Sequence, residues 1–393
     1  ADSSTPGLTA RRGPHPTWSA SPPPFPGAGR ASRPLGSIPA YSLCSGEPPC
    51  GISAHRGVQT DTAAAFAIHI CTASQAGRRE ESRLIVYREL SSLVHDLGIS
   101  ARTLYAVSNR LDQHYRRAEL PKADGGVRVL SVPDPLLKHI QRRITQVLLV
   151  HMPISPCATA YRYGGSVLVN AAPHVGQSAV LRLDIQRFFD SIRYTSVKEA
   201  AFPADIYAEP LRILLSMLCY HREGLPQGAP SSPAISNIVM ADFDAQVSAW
   251  CRERGLTYTR YCDDMTFSGA PVPSEVVSFV SDRLRPLGLF LNRRKTRYLP
   301  SDRRQLVTGI VVNQALNTPA EYRRKLRQEL HFCQKYGVAA HMARQGLTCS
   351  EDAYLARLLG QVNYALQISP GRSDLEQARA WLRAGGGRTE PHT

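Results

Sequence analysis

The chain lacks a paired-cysteine pattern, a long apolar run and an acidic balance, and each absence removes a class of protein. Its nine cysteines (positions 44, 50, 71, 157, 219, 251, 262, 333 and 349) are odd in number and scattered, with no CxxC pair. That spacing fits neither a structural zinc site nor a disulfide framework, and it predicts reduced thiols in a cytoplasmic protein. No apolar run approaches the roughly 20 residues of a membrane-spanning helix. The N-terminus lacks the charged, apolar and small-residue order of a secretory leader. Positive charge is what the chain has in excess: 47 Lys and Arg against 32 Asp and Glu, a formal net charge of +15. Residues 1–81 hold seven Arg and five acids, so almost all of the excess lies beyond them. A basic folded part predicts a polyanionic partner, although charge alone does not separate nucleic acid from anionic lipid.

With 393 residues the chain can build two or three units with real cores. Residues 1–81 open on a Pro/Ser/Gly/Ala tract (PPPFPGAGRASRPLGSIP) with little to bury, and are expected to be a disordered extension. Only TAAAFAIHICTA within them could form a short apolar helix. From Ser82 onward the pattern changes. RLIVYRELSSLVHDLGI, ARTLYAVSNRLDQHY and DPLLKHIQRRITQVLLVHM carry apolar residues at helical spacing. VGQSAVLRLDI reads as a strand feeding a helix, LTYTRY and MTFSG as two β arms, and QLVTGIVVN as a further strand. NTPAEYRRKLRQEL predicts a helix capped by Thr318, with Pro319 at its first position and Glu321 closing a capping box. The last third is helical and basic. Strands and helices do not alternate regularly, which favours an α+β fold over a doubly wound sheet.

Between the two β arms lies RYCDD, with Asp263 and Asp264 side by side. Asp is also a common turn residue, so the pair alone decides nothing. Asp184, at the end of the apolar stretch LRLD, supplies a third carboxylate. If strand 179–185 pairs beside the hairpin at 256–268, all three converge. Three hard oxygen donors suit two Mg²⁺ ions clamping the attacking and leaving oxygens of a phosphoryl transfer. Asp184 as a helix cap and Asp264 as a turn residue are the plainer readings. Lys122 and Arg128 flank a Gly-Gly turn, two cations on a loop that could fold over a triphosphate, or simply a solvated hairpin. Gln227, in the Pro/Gly-constrained LPQGAPSSP, is either a rigid contact to a ligand or part of a plain loop.

From about Leu104 to Pro370 these blocks, in their order and spacing, resemble the reverse transcriptases, and the bacterial retron type in particular. YRRAELPKADGGVRVLSVPDPLLKHIQRRI is similar to the first fingers block, LRLDIQRFFDSI to motif A, GLPQGAPSSPAISN to motif B, YCDD to motif C, LGLFLNRRKT to motif D and LVTGIVVN to the primer grip. NAAPH, with Asn170 and His174, resembles the retron NAxxH element, and Val307, Thr308 and Gly309 the retron VTG signature. The resemblance implies a right-hand polymerase: fingers and palm over 82–312, a helical basic thumb over 313–385 and a flexible tail over 386–393. It implies RNA-directed DNA synthesis with two Mg²⁺ ions (or Mn²⁺) on Asp184, Asp263 and Asp264. By the same resemblance Lys122 and Arg128 bind the triphosphate, Phe189 crowds the sugar 2′ position, and Gln227 contacts the incoming nucleotide. Lys295 protonates the leaving pyrophosphate. For Phe189 a place in the core beside Phe188 is the competing reading, and Lys295 is one basic residue among many. The implied partners are dNTPs, a structured non-coding RNA as template and primer, its branched 2′-linked DNA product and an accessory effector protein, with anti-phage defence as the setting and no membrane. One residue departs from the retron pattern: Cys262 stands where Ala is usual, small enough for the hairpin but different at the primer end. A reverse transcriptase of another lineage (group II intron-like or diversity-generating) and a non-catalytic RNA-binding scaffold are the alternatives, the second disfavoured by the intact Asp triad.

Overall fold

The strand-forming segments pair into three small sheets in a computed structural model that describes residues 86–121 and 126–386. Lys122, the TAAAFAIHICTA segment, the N-terminal extension and the last seven residues lie outside the described residues. β1 (Tyr115–Pro121) and β2 (Val127–Pro133) form an antiparallel hairpin, mostly exposed. β3 (Ala179–Asp184), β4 (Thr257–Tyr261), β5 (Asp264–Gly269) and β6 (Arg297–Pro300) make a four-stranded antiparallel sheet in the order β4-β5-β3-β6. Side chains alternate across such a sheet. Leu181 and Leu183 of β3 face Phe267 and Met265 of β5, all four within the main core. The intervening pairs, Arg182 with Thr266 and Asp184 with Asp264, lie on the opposite face.

Helical spacing gives the core its other wall. Leu137, Ile140 and Ile144 of the helix Pro135–Val147 are fully buried and pack with Leu93, Leu97, Leu104 and Val107. That helix starts where its caps dictate: Asp134 Oδ1 accepts from Leu137 N at 2.8 Å and Pro135 follows. The helices Ala320–Tyr336, Val338–Arg344, Glu351–Ile368 and Ser373–Arg383 bury a second cluster of their own, with Leu326, Leu330, Tyr354, Leu358 and Val362.

Three local expectations are corrected. Among the described residues the first helix starts at Leu90 and does not include Val86 or Tyr87, because the Tyr87 backbone bridges to the chain at Tyr207, donating to Ile206 O at 2.7 Å and accepting from Ala208 N at 2.9 Å. QLVTGIVVN is not one strand but a hairpin of β7 (Leu306–Val307) and β8 (Ile310–Val311). Thr308 and Gly309 both have positive φ, 45° and 83°, the geometry of a tight two-residue turn. Thr318 does not cap the following helix, which begins at Ala320 with no side-chain cap. Asn317 pairs with Val311 in both directions and holds the chain extended, while Glu321 is taken by Arg304 at 2.8 Å.

On the polar face of the sheet, the helix Val167–Ala171 and the 3₁₀ turn Ala172–His174 bring NAAPH against β4 and β5. His174 is fully buried, with Nδ1 2.6 Å from Ser268 Oγ and Nε2 2.8 Å from Thr259 Oγ1. The Thr259 hydroxyl also donates to Asn170 O at 3.4 Å. It therefore accepts from Nε2–H, leaving Nδ1 to accept from Ser268. Asn170 Oδ1 accepts from Thr159 Oγ1 at 2.7 Å, and Asn170 Nδ2 donates to Thr308 Oγ1 at 3.5 Å. The NAAPH and VTG elements, about 138 residues apart in sequence, thus share one buried polar network.

Burial pushes His174 down to about 4, because its two hydroxyl partners satisfy a neutral ring and offer no charge to an imidazolium. The folded-state value lies below that of the unfolded chain, so as pH falls the unfolded chain takes up the proton first. Stability from this residue is intact above pH 6.5 and is lost as pH falls toward 4, by roughly 3 kcal/mol in all. Urea unfolding across that range should give wild type a steeper loss than His174→Gln, which takes up no proton. Parallel slopes would show that the ring does not stay neutral in the fold.

Candidate active site

The register of β3 on β5 sets Asp184 directly opposite Asp264, and the two-residue turn that joins β4 to β5 carries Asp263 beside them. Ile185 N donates to Asp263 O at 3.1 Å, tying the turn to the end of β3. On the other side of β3, Asn292 N donates to Asp184 O at 2.7 Å. That bond sets the 3₁₀ turn Arg293–Lys295 against the site, and Lys295 Nζ reaches Asp184 Oδ2 at 2.7 Å. Arg182 Nη2 lies 3.5 Å from Asp264 Oδ2.

The carboxylates repel one another across this short span. Burial, then the charge of Asp184, pushes the Asp263 carboxyl up. Burial also raises Asp264, with Arg182 opposing and the other two aspartates adding to the rise. Lys295 is pushed up in turn, first by its hydrogen bond to Asp184. Among the described residues no three carboxylate, imidazole or thiol groups stand close enough to hold one metal ion. Asp184 is engaged by an ammonium and Asp264 by a guanidinium instead. These two side-chain cations stand where compensating positive charge is needed, and an all-oxygen donor set suits a hard divalent cation. The donor atoms are of the kind such an ion takes, and in this structure Lys295 occupies Asp184.

The turn itself is strained. Cys262 has φ of 61°, a left-handed conformation that usually calls for glycine and is unfavourable for a residue with a Cβ by about 1–2 kcal/mol. Its thiol is buried, and burial first, then the charge of Asp263, push it up to about 12.

Phe189 and Gln227 fall in a second cluster. Phe189 is half-buried, with its ring 5.4 Å from that of Phe188, so part of it serves the core. Leu225 N donates to Phe189 O at 2.9 Å, and Gln227 Nε2 donates to Asp190 Oδ1 at 3.1 Å. The loop comes this close because Gly224 has no side chain: a Cβ there would lie 2.6 Å from Asp190 Cα. Ser131 N of β2 donates to Gln227 O at 2.9 Å, so the hairpin and the loop enclose a cleft of about 430 Å³. Arg128 is exposed on β2, and nothing ties it to the aspartates. Val307 is buried, and Thr308 and Gly309 form the β7–β8 turn. Asn170, His174 and Thr308 are scaffold for the sheet that carries the aspartates and do not touch them.

Sequence reasoning missed Arg260 and Asp244. Arg260 faces the core side of β4, opposite Met265, with no exposed side-chain area. It donates to Asp244 through Nε at 2.8 Å and Nη2 at 2.6 Å, and through Nη1 to Cys262 O at 3.0 Å and Asn237 Oδ1 at 3.3 Å. Removing one partner of such a buried pair costs about 3–5 kcal/mol. The only signal in the sequence was a charge at an inward position of an alternating strand.

Comparison with known proteins gives the family. Residues 120–312 match the family described as Reverse transcriptase (RNA-dependent DNA polymerase). The retron Mx65 reverse transcriptase of Myxococcus xanthus is 32% identical over 315 residues, covering 74% of this chain and 71% of that protein. The retron Mx162 reverse transcriptase of the same organism is 30% identical, covering 76% and 69%. The retron Ec86 reverse transcriptase of Escherichia coli is 29% identical, covering 63% and 81%. With relatives at this level of identity and coverage on both sides, the chain belongs to the retron-type reverse transcriptases, RNA-directed DNA polymerases of the right-hand fold.

Proposed function

We propose that the chain copies a structured non-coding RNA into DNA, starting from a 2′-hydroxyl of that RNA, with Asp184, Asp263 and Asp264 holding two divalent cations. The observation that carries this reading is the pairing of Asp184 with Asp264 beside the Asp263 turn. Bound there, Mg²⁺ or Mn²⁺ would supply Lewis-acid stabilisation to the attacking and leaving oxygens of nucleotidyl transfer. Lys295, whose Nζ holds its proton against Asp184, is placed to deliver it to a leaving oxygen. Phe189 and Gln227 border the nucleotide, and Lys122 and Arg128 of the fingers hairpin steady its triphosphate. We assign residues 82–312 to fingers and palm and 313–385 to the thumb, in line with the separate core of the C-terminal helices. Arg323, Arg324, Lys325 and Arg327 on the helix Ala320–Tyr336 would hold RNA through its backbone charge.

Retron-type priming, rather than ordinary 3′-end priming, enters this reading through the NAAPH and VTG elements and the likeness to retron enzymes. An accessory effector and a role in anti-phage defence belong to this reading through the family alone. Among the described residues no helix is long and apolar enough to cross a membrane.

Asp184→Asn and Asp263→Asn should each reduce metal-dependent dNTP incorporation to background while changing RNA affinity less than about twofold, since basic groups carry the RNA. Near wild-type incorporation by either variant would end the metal assignment. Phe189→Val should raise ribonucleotide incorporation relative to deoxynucleotide, by roughly 10–100-fold if the ring excludes a 2′-hydroxyl by contact; unchanged selectivity would make Phe189 a core residue only. Nucleic acid copurified with the protein should contain DNA joined to RNA through a linkage that a debranching enzyme cleaves. Linear DNA extended only from RNA 3′ ends would remove the 2′-priming reading.

A further inference from the structure

Asp263 sits in a turn that its own sequence does not favour, since Cys262 must adopt a left-handed conformation to form it. Something has to hold that turn. The peptide groups on both sides of Asp263 are fixed by bonds from elsewhere. Asp263 O accepts from Ile185 N at 3.1 Å, and Cys262 O accepts from Arg260 Nη1 at 3.0 Å. The second bond sets the plane of the peptide that enters Asp263 and thereby the direction in which its carboxylate leaves the backbone. The guanidinium making it has no freedom: Asp244 holds it through two nitrogens at 2.8 and 2.6 Å, and Asn237 takes a further contact at 3.3 Å. Both charged side chains have no exposed area, and Tyr258 Oη donates to Asp244 Oδ1 at 2.8 Å.

The backbone of Arg260 is held as firmly. Its N donates to Cys157 O at 2.8 Å, and its O accepts from Thr159 N at 2.8 Å, with Thr159 Oγ1 3.1 Å away. Thr159 Oγ1 is the same hydroxyl that faces Asn170 Oδ1 at 2.7 Å. A chain of direct contacts therefore runs from Thr308 through Asn170, Thr159 and Arg260 to the Cys262 carbonyl.

We propose that Arg260, clamped by Asp244, is the positioning residue of the aspartate turn: it orients Asp263 through the Cys262 carbonyl without touching substrate. The proposal rests on Asp263 serving a divalent cation, as argued above. A planar guanidinium can donate to a carboxylate and to a carbonyl at once; an ammonium on a flexible stem cannot reproduce that fork. A carboxylate displaced by about 1 Å loses as much as about 10²-fold in rate.

Arg260→Lys keeps a charge for Asp244 and loses the fork. It should be compared with wild type and Asp263→Asn in primer extension across a Mg²⁺ titration, and in thermal melting with and without Mn²⁺. The expected result is a kcat lower by about tenfold or more, a several-fold higher Mg²⁺ half-saturation and a smaller Mn²⁺-induced rise in Tm. The KM for dNTP should stay within about twofold. If wild type itself shows no metal-dependent extension, the reading of the carboxylates fails first and takes the proposal with it. If wild type responds and Arg260→Lys equals it in kcat and in metal response, Arg260 is a packing residue and the proposal alone is overturned. Should Arg260→Lys not melt cooperatively, the pair Arg260→Met with Asp244→Leu replaces it, because removing both charges leaves none buried alone, and the same pattern is expected. A double variant that also fails to fold would make the ion pair an element of folding and overturn the proposal.

Discussion

The pairing of β3 with β5 is the constraint on which the rest of the site depends. Its register is fixed by the apolar face, where Leu181, Leu183, Met265 and Phe267 meet with almost no exposed area. Burying each such side chain contributes roughly 1.5–3 kcal/mol. A slip of β3 by one residue would turn Leu181 and Leu183 outward and bring Arg182 and Asp184 into the core. That gain opposes the repulsion among the carboxylates on the other face, where Asp184 is buried and Asp263 and Asp264 are partly exposed. The convergence of Asp184, Asp263 and Asp264 is thus a consequence of hydrophobic register, held in place against its own electrostatics.

The two faces of the sheet answer that electrostatic strain differently. On the polar face, Lys295 and Arg182 set cations against Asp184 and Asp264, partly exposed and therefore exchangeable for other positive charge. On the core face, Arg260 and Asp244 form a pair sealed from water, too costly to break and too well bonded to move. Charge near solvent can exchange, and charge that holds geometry is kept dry. The signature elements NAAPH and VTG follow the second pattern: His174, Asn170 and Thr308 spend their polar groups on one another and on β4 and β5. Their link to RNA recognition in this fold would run through the scaffold they fix, since none of them contacts the aspartates.

Local chemistry was legible in the sequence. The helices Ala101–Asn109 and Pro135–Val147 followed from apolar spacing, because a helix is written in residues three and four apart. The arms on either side of RYCDD followed from their β-forming residues, and the approach of Asp184 to the aspartate turn from one assumed strand pairing. Where a distant segment competed, local reading failed. Tyr87 is pulled out of a helix by Tyr207, Asn317 is held extended by Val311 so that Thr318 cannot cap, and QLVTGIVVN folds back at Thr308 and Gly309.

The sequence by itself determined the family blocks, the α+β character and the three aspartates as candidates, since each lies in a short contiguous pattern whose meaning does not depend on what folds against it. The tertiary structure alone decided which cation meets which carboxylate, which polar residues are scaffold, and that the arginine of RYCDD points inward. Lys295 and Asp184 are separated by 111 residues, Asn170 and Thr308 by 138, and Arg260 and Asp244 by 16. Such pairings depend on how distant elements pack. A buried arginine and an exposed one are written with the same letter, and only the fold tells them apart.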